Sequence, residues 1–406
     1  MTASAPGPTA DAVPSAVVDR ARRWRHDLHR IPETAFTEHA TAAYAARVLA
    51  ELGHEVVTGV GGTGVVASLT RGTSGRSVGL RSELDALPIT EASGVEYAST
   101  RPGAMHACGH DGHLAMLLGA AALLAEDGGF DGTVRLVLQP AEEPGHGARA
   151  MVDDGLFDRF AIDQLFGIHN IPGLPAGHLR TRPGPIMAGE DNFRVAVRGR
   201  GGHASAPHLV VDALVVAAEI VVALQHVVAR SVDPVSTAVL SCTDLHTDGA
   251  RNAIPTHATI TGDTRSFDPA VSTLLERRIR EVAAGVAAAH GAEVTVDYTR
   301  EFAPTVNDGA SVALAGLAAA RAVGMDRLDV DAPPIMGSED FGVLAGHVPA
   351  CLVFLGNGTA PDAGGVPLHS ADYVFNDDVL AAGIAFYREA VVESLTTPPP
   401  SDGAPA

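Results

Sequence analysis

Between residues 17 and about 181, short apolar runs alternate with helical stretches, and after a break the same alternation resumes near Pro304. No other feature narrows the fold as far. Residues 41–52 are spaced as a helix, 64–69 and 77–81 as strands, 114–125 as a helix, and 134–138 and 165–168 as buried strands. Later, 352–355 read as a strand and 379–392 as a closing helix. Strands that alternate with helices predict an α/β layer on a mostly parallel sheet. In such a sheet the chemistry sits at the carboxyl ends of the strands. Glu83, Asp85, Glu142, Glu143 and His169 all fall at such ends.

The break has its own pattern. Residues 180–187, Arg-Thr-Arg-Pro-Gly-Pro-Ile-Met, read as a linker. Beyond it come strands at 192–197, 236–242, 258–264 and 293–298, with helices at 210–228 and 271–289. Two helices and about four strands predict a small α+β sandwich inserted into the first domain. The chain therefore divides into a discontinuous catalytic domain, residues 15–188 and 301–396, and an inserted lid and dimerisation domain, residues 189–300. A length of 406 residues, 46% of them hydrophobic, is enough for two cores. Aromatics make up only 4%, so Ala, Val and Leu must fill them.

Charge and composition exclude several functions. A formal charge of −20 repels nucleic acid and anionic membranes, so neither is expected as a partner. There is no lysine, which removes Schiff-base, pyridoxal-phosphate and phosphate-loop lysine chemistry. Cys108, Cys242 and Cys351 are sparse and odd in number, which predicts no disulfide framework and a reduced, cytoplasmic setting. Residues 1–14 lack the basic and apolar regions of a signal peptide. No run of about 18 apolar residues stands out, so no membrane span is expected. The Pro-rich residues 396–406 are expected to fray.

The stretch Met105-His106-Ala107-Cys108-Gly109-His110-Asp111-Gly112-His113 packs a thiol, three imidazoles and a carboxylate into one loop that runs into a helix. These side chains suit a transition metal of intermediate softness. In an extended loop Cys108 and His110, two apart, point the same way. Glu142 and Glu143 follow a buried strand. One can bind metal while the other, repelled by its neighbour, shuttles a proton; a solvated acidic loop is the alternative. His169 ends a strand, and His369 sits in a Gly/Pro-rich loop. Taken singly, each also fits a hydrogen-bonded structural role. Asp85 can orient a ligating His or simply shape the turn before Pro88.

Taken in order, M-H-A-C-G-H-D-G-H, P-A-E-E, G-I-H-N-I-P-G-L-P, T-R-P-G-P-I-M-A, G-G-H-A-S-A-P-H, M-G-S-E-D-F and L-H-S resemble the M20 metallopeptidase/amidohydrolase family. The likeness is to the branch of N-acyl-amino-acid, hippurate and auxin-conjugate amidohydrolases, and it runs over about residues 17–393. The resemblance implies a site for two divalent ions, manganese or zinc, held by Cys108, His110, Glu143, His169 and His369. It implies Glu142 as the general base and Asp85 as the acid beside the metals. It places His203 on the lid, reaching a partner subunit's site to stabilise the oxyanion, and Asn252 near the substrate. Arg265 is a candidate for gripping the substrate carboxylate, or an ordinary strand arginine. A homodimer through residues 189–300 is expected, because the 210–228 helix is apolar on more than one face. The expected function is hydrolysis of small N-acyl amino acids. A dipeptidase, an N-carbamoyl-amino-acid hydrolase and a non-catalytic acyl-amino-acid binding protein are the competing readings. Two departures stand out: Ser82-Glu83-Leu84-Asp85 replaces the usual Ala-Asp-Met-Asp, and His146 stands where a small residue is common.

Overall fold

The computed structural model describes residues 13–127 and 129–396. Residues 1–12 and nearly all of the tail expected to fray lie outside the described residues. The chain forms two compact units, Met1–Ile186 with Val306–Pro333 and Asp340–Ala406, and Met187–Thr305 with Pro334–Glu339. The breaks fall within a few residues of those read from the sequence, and Pro334–Glu339 goes with the smaller unit.

The larger unit is an α/β fold on an eight-stranded sheet. Its order is Glu55–Val60, Gly64–Arg71, Gly132–Gln139, Ser77–Glu83, Gln164–Pro172, Ala350–Gly358, Leu179–Arg180, Leu328–Asp329. The four strands from Gly132–Gln139 to Ala350–Gly358 run parallel. Ser77–Glu83 and Ala350–Gly358 are buried along their whole length, as befits strands covered on both faces. From Ser77–Glu83 the chain passes through the helix His110–Asp127 to Gly132–Gln139 on one side. It then crosses to Gln164–Pro172 on the other side. Such a reversal of direction opens a crevice at the carboxyl ends of the strands.

The helix His110–Asp127 is a core element packed against Ser15–His29 and Leu380–Thr396. It starts at His110, four residues before the expected 114. The Gly109 carbonyl accepts from the N–H groups of Gly112 and His113, which closes the first turn early, and Asp111 there suits the positive end of the helix dipole. Gly109 has φ +90°, so Cys108 and His110 are brought together by a left-handed turn into a helix, not by an extended loop. The helices Ser15–His29 and Gly309–Val323 and the edge strand Glu55–Val60 are additional to the elements expected from the sequence.

The smaller unit has the expected two helices and four main strands. Its antiparallel sheet runs Ala238–Thr247, His257–Ser266, Gly189–Arg198, Glu293–Phe302. The helices Ala213–Ser231 and Pro269–His290 share its core with Phe193, Val195, Val197 and Ile260. The first helix begins at Ala213, not 210, because the Asp212 side chain caps it by accepting from the N–H groups of Leu214 and Val215. This helix corrects one expectation: its 19 residues are long and apolar enough to cross a membrane. Its inner stripe, Val216, Ile220, Leu224 and Val227, is buried in the core of the unit, whereas Leu214, Val215 and Val222 are exposed.

Candidate active site

Six ligand-type side chains converge at the carboxyl ends of the parallel strands. Cys108 and His110 come from the turn into the helix His110–Asp127, and Glu142 and Glu143 from the turn after Gly132–Gln139. His169 sits near the end of Gln164–Pro172, and His369 in the loop beyond Ala350–Gly358. Cys108 Sγ lies 3.5 Å from His169 Nε2. His110 Nε2 lies 3.8 Å from Glu142 Oε2 and 4.0 Å from Glu143 Oε1. His369 Nε2 lies 3.5 Å from Glu143 Oε2. Donor atoms group within 4.8 Å as Cys108–His110–His169, Cys108–Glu143–His369 and His110–Glu142–Glu143. Cys108, His110 and Glu143 each belong to two of these groups, so the site is one continuous patch of donors.

Two backbone contortions place this patch. Ala141, just before Glu142, has φ +46°, and its N–H is held at 2.8 Å by the buried Glu38 carboxylate. His369 has φ +63°, and its N–H donates to the Ala107 carbonyl at 2.9 Å. Left-handed non-glycine residues are costly and cluster at functional sites. Here one turns the carboxylate pair and the other ties the late loop to the Cys108 turn.

The imidazoles are oriented for a cation. His110 Nδ1 donates to the Asp85 carbonyl at 2.8 Å, and His169 Nδ1 donates to the Asn170 carbonyl at 2.8 Å. Each ring therefore turns its Nε2 towards the thiol and carboxylates, the usual arrangement of a ligating histidine. His110 Nε2 is buried without a hydrogen-bond partner, an omission that a bound cation makes good. Asp85 is fully buried. Its Oδ2 accepts the Glu143 N–H at 3.0 Å, and its Oδ1 lies 3.4 Å from His110 Nδ1.

Left to themselves, the donors favour a protonated thiol and a charged His110 ring. Burial, and then the neighbouring Glu143, push the Cys108 thiol well above its ordinary range. Burial opposes protonation of His110, but Cys108 and the Asp85 hydrogen bond outweigh it and raise the ring well above its usual value. Burial, and then His110, lower His369. A divalent cation would reverse the bias against the thiolate, so the donor set fits a metal of intermediate softness.

The other three sequence candidates belong to the smaller unit. His203 is exposed on Gly202–His203, a short strand paired with Ala253–Ile254. Its Nδ1 accepts the Ser205 N–H at 3.1 Å, which leaves the ring hydrogen on Nε2. Asn252, also exposed, lies beside it, its carbonyl accepting the Ala204 N–H at 3.1 Å. Arg265 on His257–Ser266 is already engaged by Glu190 and Asp263, both at 2.8 Å, and by the Met336 carbonyl at 2.9 Å. His146 is exposed at the start of the short helix Gly147–Asp153.

Sequence reasoning gave Asn170 and Arg81 no role, took His113 only as one imidazole of the Cys108 motif, and took Glu83 as a strand-end carboxylate that departs from the usual motif. All four are buried around the ligands. The signal available was the third histidine of the Cys108 motif together with the Asn that follows His169.

Residues 79–393 match the model of peptidase family M20/M25/M40. The hippurate hydrolase of Campylobacter jejuni is 38% identical over 371 residues, 91% of this chain and 95% of that protein. The thermostable carboxypeptidase 2 of Saccharolobus solfataricus is 36% identical over 369 residues, 88% of this chain and 91% of that protein. Among solved structures, the Bacillus subtilis YXEP protein, a dinuclear metal binding peptidase from the M20 family, superposes with a TM-score of 0.81. It is 31% identical, with 94% of this chain and 99% of that chain covered.

Proposed function

The chain belongs to peptidase family M20/M25/M40, and from that premise we propose how its own residues cleave the amide bond of an N-acyl amino acid. It is a metal-dependent amidohydrolase. The observation that carries the reading is the thiol–imidazole–carboxylate patch, buried at Cys108, His110 and His169 and open at His369, with a second carboxylate, Glu142, beside it. Cys108, His110, Glu143, His169 and His369 would hold two divalent ions, and their mixed donors suit manganese or zinc. When bound, such ions polarise the scissile carbonyl and ease the ionisation of water.

Glu142 is the general base. It takes a proton from the attacking water and delivers it to the leaving amine. Its 5% exposure and its place beside Glu143 and His110 keep that carboxylate out of bulk solvent. Asp85 steadies the backbone of Glu143 and the ring of His110. The Nε2 hydrogen of His203 is the donor for the developing oxyanion, and Asn252 beside it contacts the substrate. Arg265 is the proposed grip on the substrate carboxylate, which must compete with Glu190 and Asp263 for the guanidinium. The exposed Leu214, Val215 and Val222 support a homodimer through the smaller unit, with His203 acting in the partner's site. Three unpaired cysteines support a cytoplasmic setting.

The test is hydrolysis of N-benzoylglycine and N-acetyl amino acids beside dipeptides and N-carbamoyl amino acids, with metal content measured in parallel. The N-acyl amino acids should turn over fastest. A chelator should abolish the activity, and added manganese or zinc should restore it. A clear preference for dipeptides or carbamoyl substrates would overturn the substrate class, and full activity in metal-free protein would overturn the metal requirement.

A further inference from the structure

Asn170 is fully buried and follows His169 directly in the strand. Its side-chain amide is fully committed. Nδ2 donates to the Cys108 carbonyl at 2.7 Å and to His113 Nε2 at 3.0 Å, and Oδ1 accepts from the Tyr373 hydroxyl at 2.7 Å. Its backbone N–H also donates to His113 Nε2, at 2.9 Å. Reversing the amide would set Oδ1 against two acceptors, so the network itself fixes the orientation.

Two N–H groups aimed at His113 Nε2 make that atom an acceptor, which leaves the ring hydrogen on Nδ1. Nδ1 donates to Glu83 Oε2 at 2.9 Å. The other Glu83 oxygen is paired with Arg81. Arg81 in turn holds Gln139 at 2.9 Å and Asp340 at 3.1 Å. Burial opposes ionisation of Glu83, but Arg81 and then His113 hold its carboxyl well below the usual range. The chain of contacts is thus anchored on two central strands of the sheet and ends at Asn170. Glu83, His110 and His113 are close enough to suggest another cation position, yet both His113 nitrogens are already spoken for by hydrogen bonds.

The glycine between the ligands Cys108 and His110 completes the arrangement. A Cβ on Gly109 would stand 2.6 Å from Asn170 Nδ2 and 2.6 Å from the Tyr373 hydroxyl. The Cys108 turn therefore presses directly on the Asn170 amide.

We propose that Asn170, keyed by His113 and Glu83, is a positioning residue that sets the separation of the Cys108 sulfur from the His169 imidazole and thereby the affinity for metal. It is joined covalently to one ligand and hydrogen-bonded to the backbone of the other. Glu83 is then a working part of the device: its two oxygens couple His113 to Arg81. The inference rests on Cys108 and His169 being ligands, so its test must separate the two claims.

The probe is Co(II) alone, titrated into metal-free protein, with the thiolate-to-metal absorption and the dissociation constant as readouts. Cys108→Ser must abolish the thiolate band; a band that persists overturns the ligand reading, and the positioning claim falls with it. Asn170→Asp places an oxygen against the Cys108 carbonyl and His113 Nε2. It should weaken Co(II) binding at least about 10-fold and shift the band, the scale seen when partners of metal ligands are removed. Glu83→Gln, a milder change that serves even where Asn170→Asp folds poorly, should shift both in the same direction by less. If Cys108→Ser loses the band while both other variants keep wild-type affinity and spectrum, Asn170 is only a core residue and the proposal is overturned. Lowered thermal stability with unchanged Co(II) affinity overturns it equally.

Discussion

The Cys108 turn of the larger unit and the His203 strand of the smaller unit are built to opposite specifications. Around Cys108 and His110, Asp85 holds the His110 ring and Asn170 the Cys108 carbonyl from behind, and Gly109 leaves no room even for a methyl group. His203, on a two-residue ladder, and Asn252, just before its partner strand, are exposed and held mainly by local hydrogen bonds to Ser205 and Ala204. Ions require donors at set distances, so the first region devotes buried polar contacts to precision. A group that meets a substrate as it arrives needs reach more than rigidity, and loosely anchored elements supply it. The contrast implies that loss of a contact near Cys108 will be felt as lost metal, and loss of one near His203 as lost turnover with metal intact.

The sharpest way to break this contrast lies within the rigid region, at Glu142 and Glu143. Glu142→Gln should keep its metal but lose turnover by about 100-fold to 10,000-fold, the range for a general base. Glu143→Ala should instead lose metal. Metal analysis of the two purified variants beside their kcat decides it, and an exchange of phenotypes would reverse the assignment of the pair.

His203 tests the other side. His203→Ala should cost about 100-fold to 1,000-fold in kcat, as for loss of an oxyanion donor, with metal content unchanged. Mixing inactive His203→Ala with inactive Glu142→Ala under subunit exchange should restore partial activity, because one site of each heterodimer then carries neither lesion. Proven heterodimers without recovery would place His203 in its own chain's chemistry or outside the reaction.

The smallest effect probes how the helix His110–Asp127 is anchored. His29 is buried between Asp111, at 2.9 Å, and Glu91, at 3.2 Å. Burial alone would lower it, but Asp111 and Glu91 outweigh that and raise it from 6.5 to about 9. A histidine whose folded value is raised stabilises fully below 6.5, and that contribution is lost as the pH climbs through about 9. Its size should be on the order of 3 kcal/mol. Thermal melts from pH 6.5 to 9.5 should therefore fall more steeply for the wild type than for His29→Gln. Parallel curves would show that this histidine contributes nothing through its charge.

The two regions also differ in how much of them is legible in the sequence. The proposed ligands are legible because Cys, His and Glu in dense local motifs at strand ends have few other uses. Their supports are not. Asn170, Tyr373 and Glu83 acquire meaning only once strands and loops distant in sequence are adjacent, and Glu83 looks like a deviation until its second oxygen is seen to reach His113. The strand–helix alternation reveals the parallel sheet, but not the helix Ser15–His29, whose buried stripe of Val17, Ala21 and Leu28 is interrupted by Arg25. Arg25 is buried there against Asp111, a pairing that no local pattern announces. Helix starts are misplaced where a single residue sets them, at Gly109 and at Asp212.

The strand Ala350–Gly358 lies directly beside Gln164–Pro172 in the sheet, yet the whole smaller unit is encoded between them. On a ribosome adding about 5–20 residues per second, the strand that carries His169 waits roughly 10–40 s for its neighbour. His369 emerges later still, after the other four proposed ligands and after the smaller unit has had time to fold. A nascent chain thus exposes the open edge of a half-built sheet next to a reactive thiol during that interval. Timing of synthesis, and whatever shields that edge, should govern the yield of loaded enzyme as much as the final stability does.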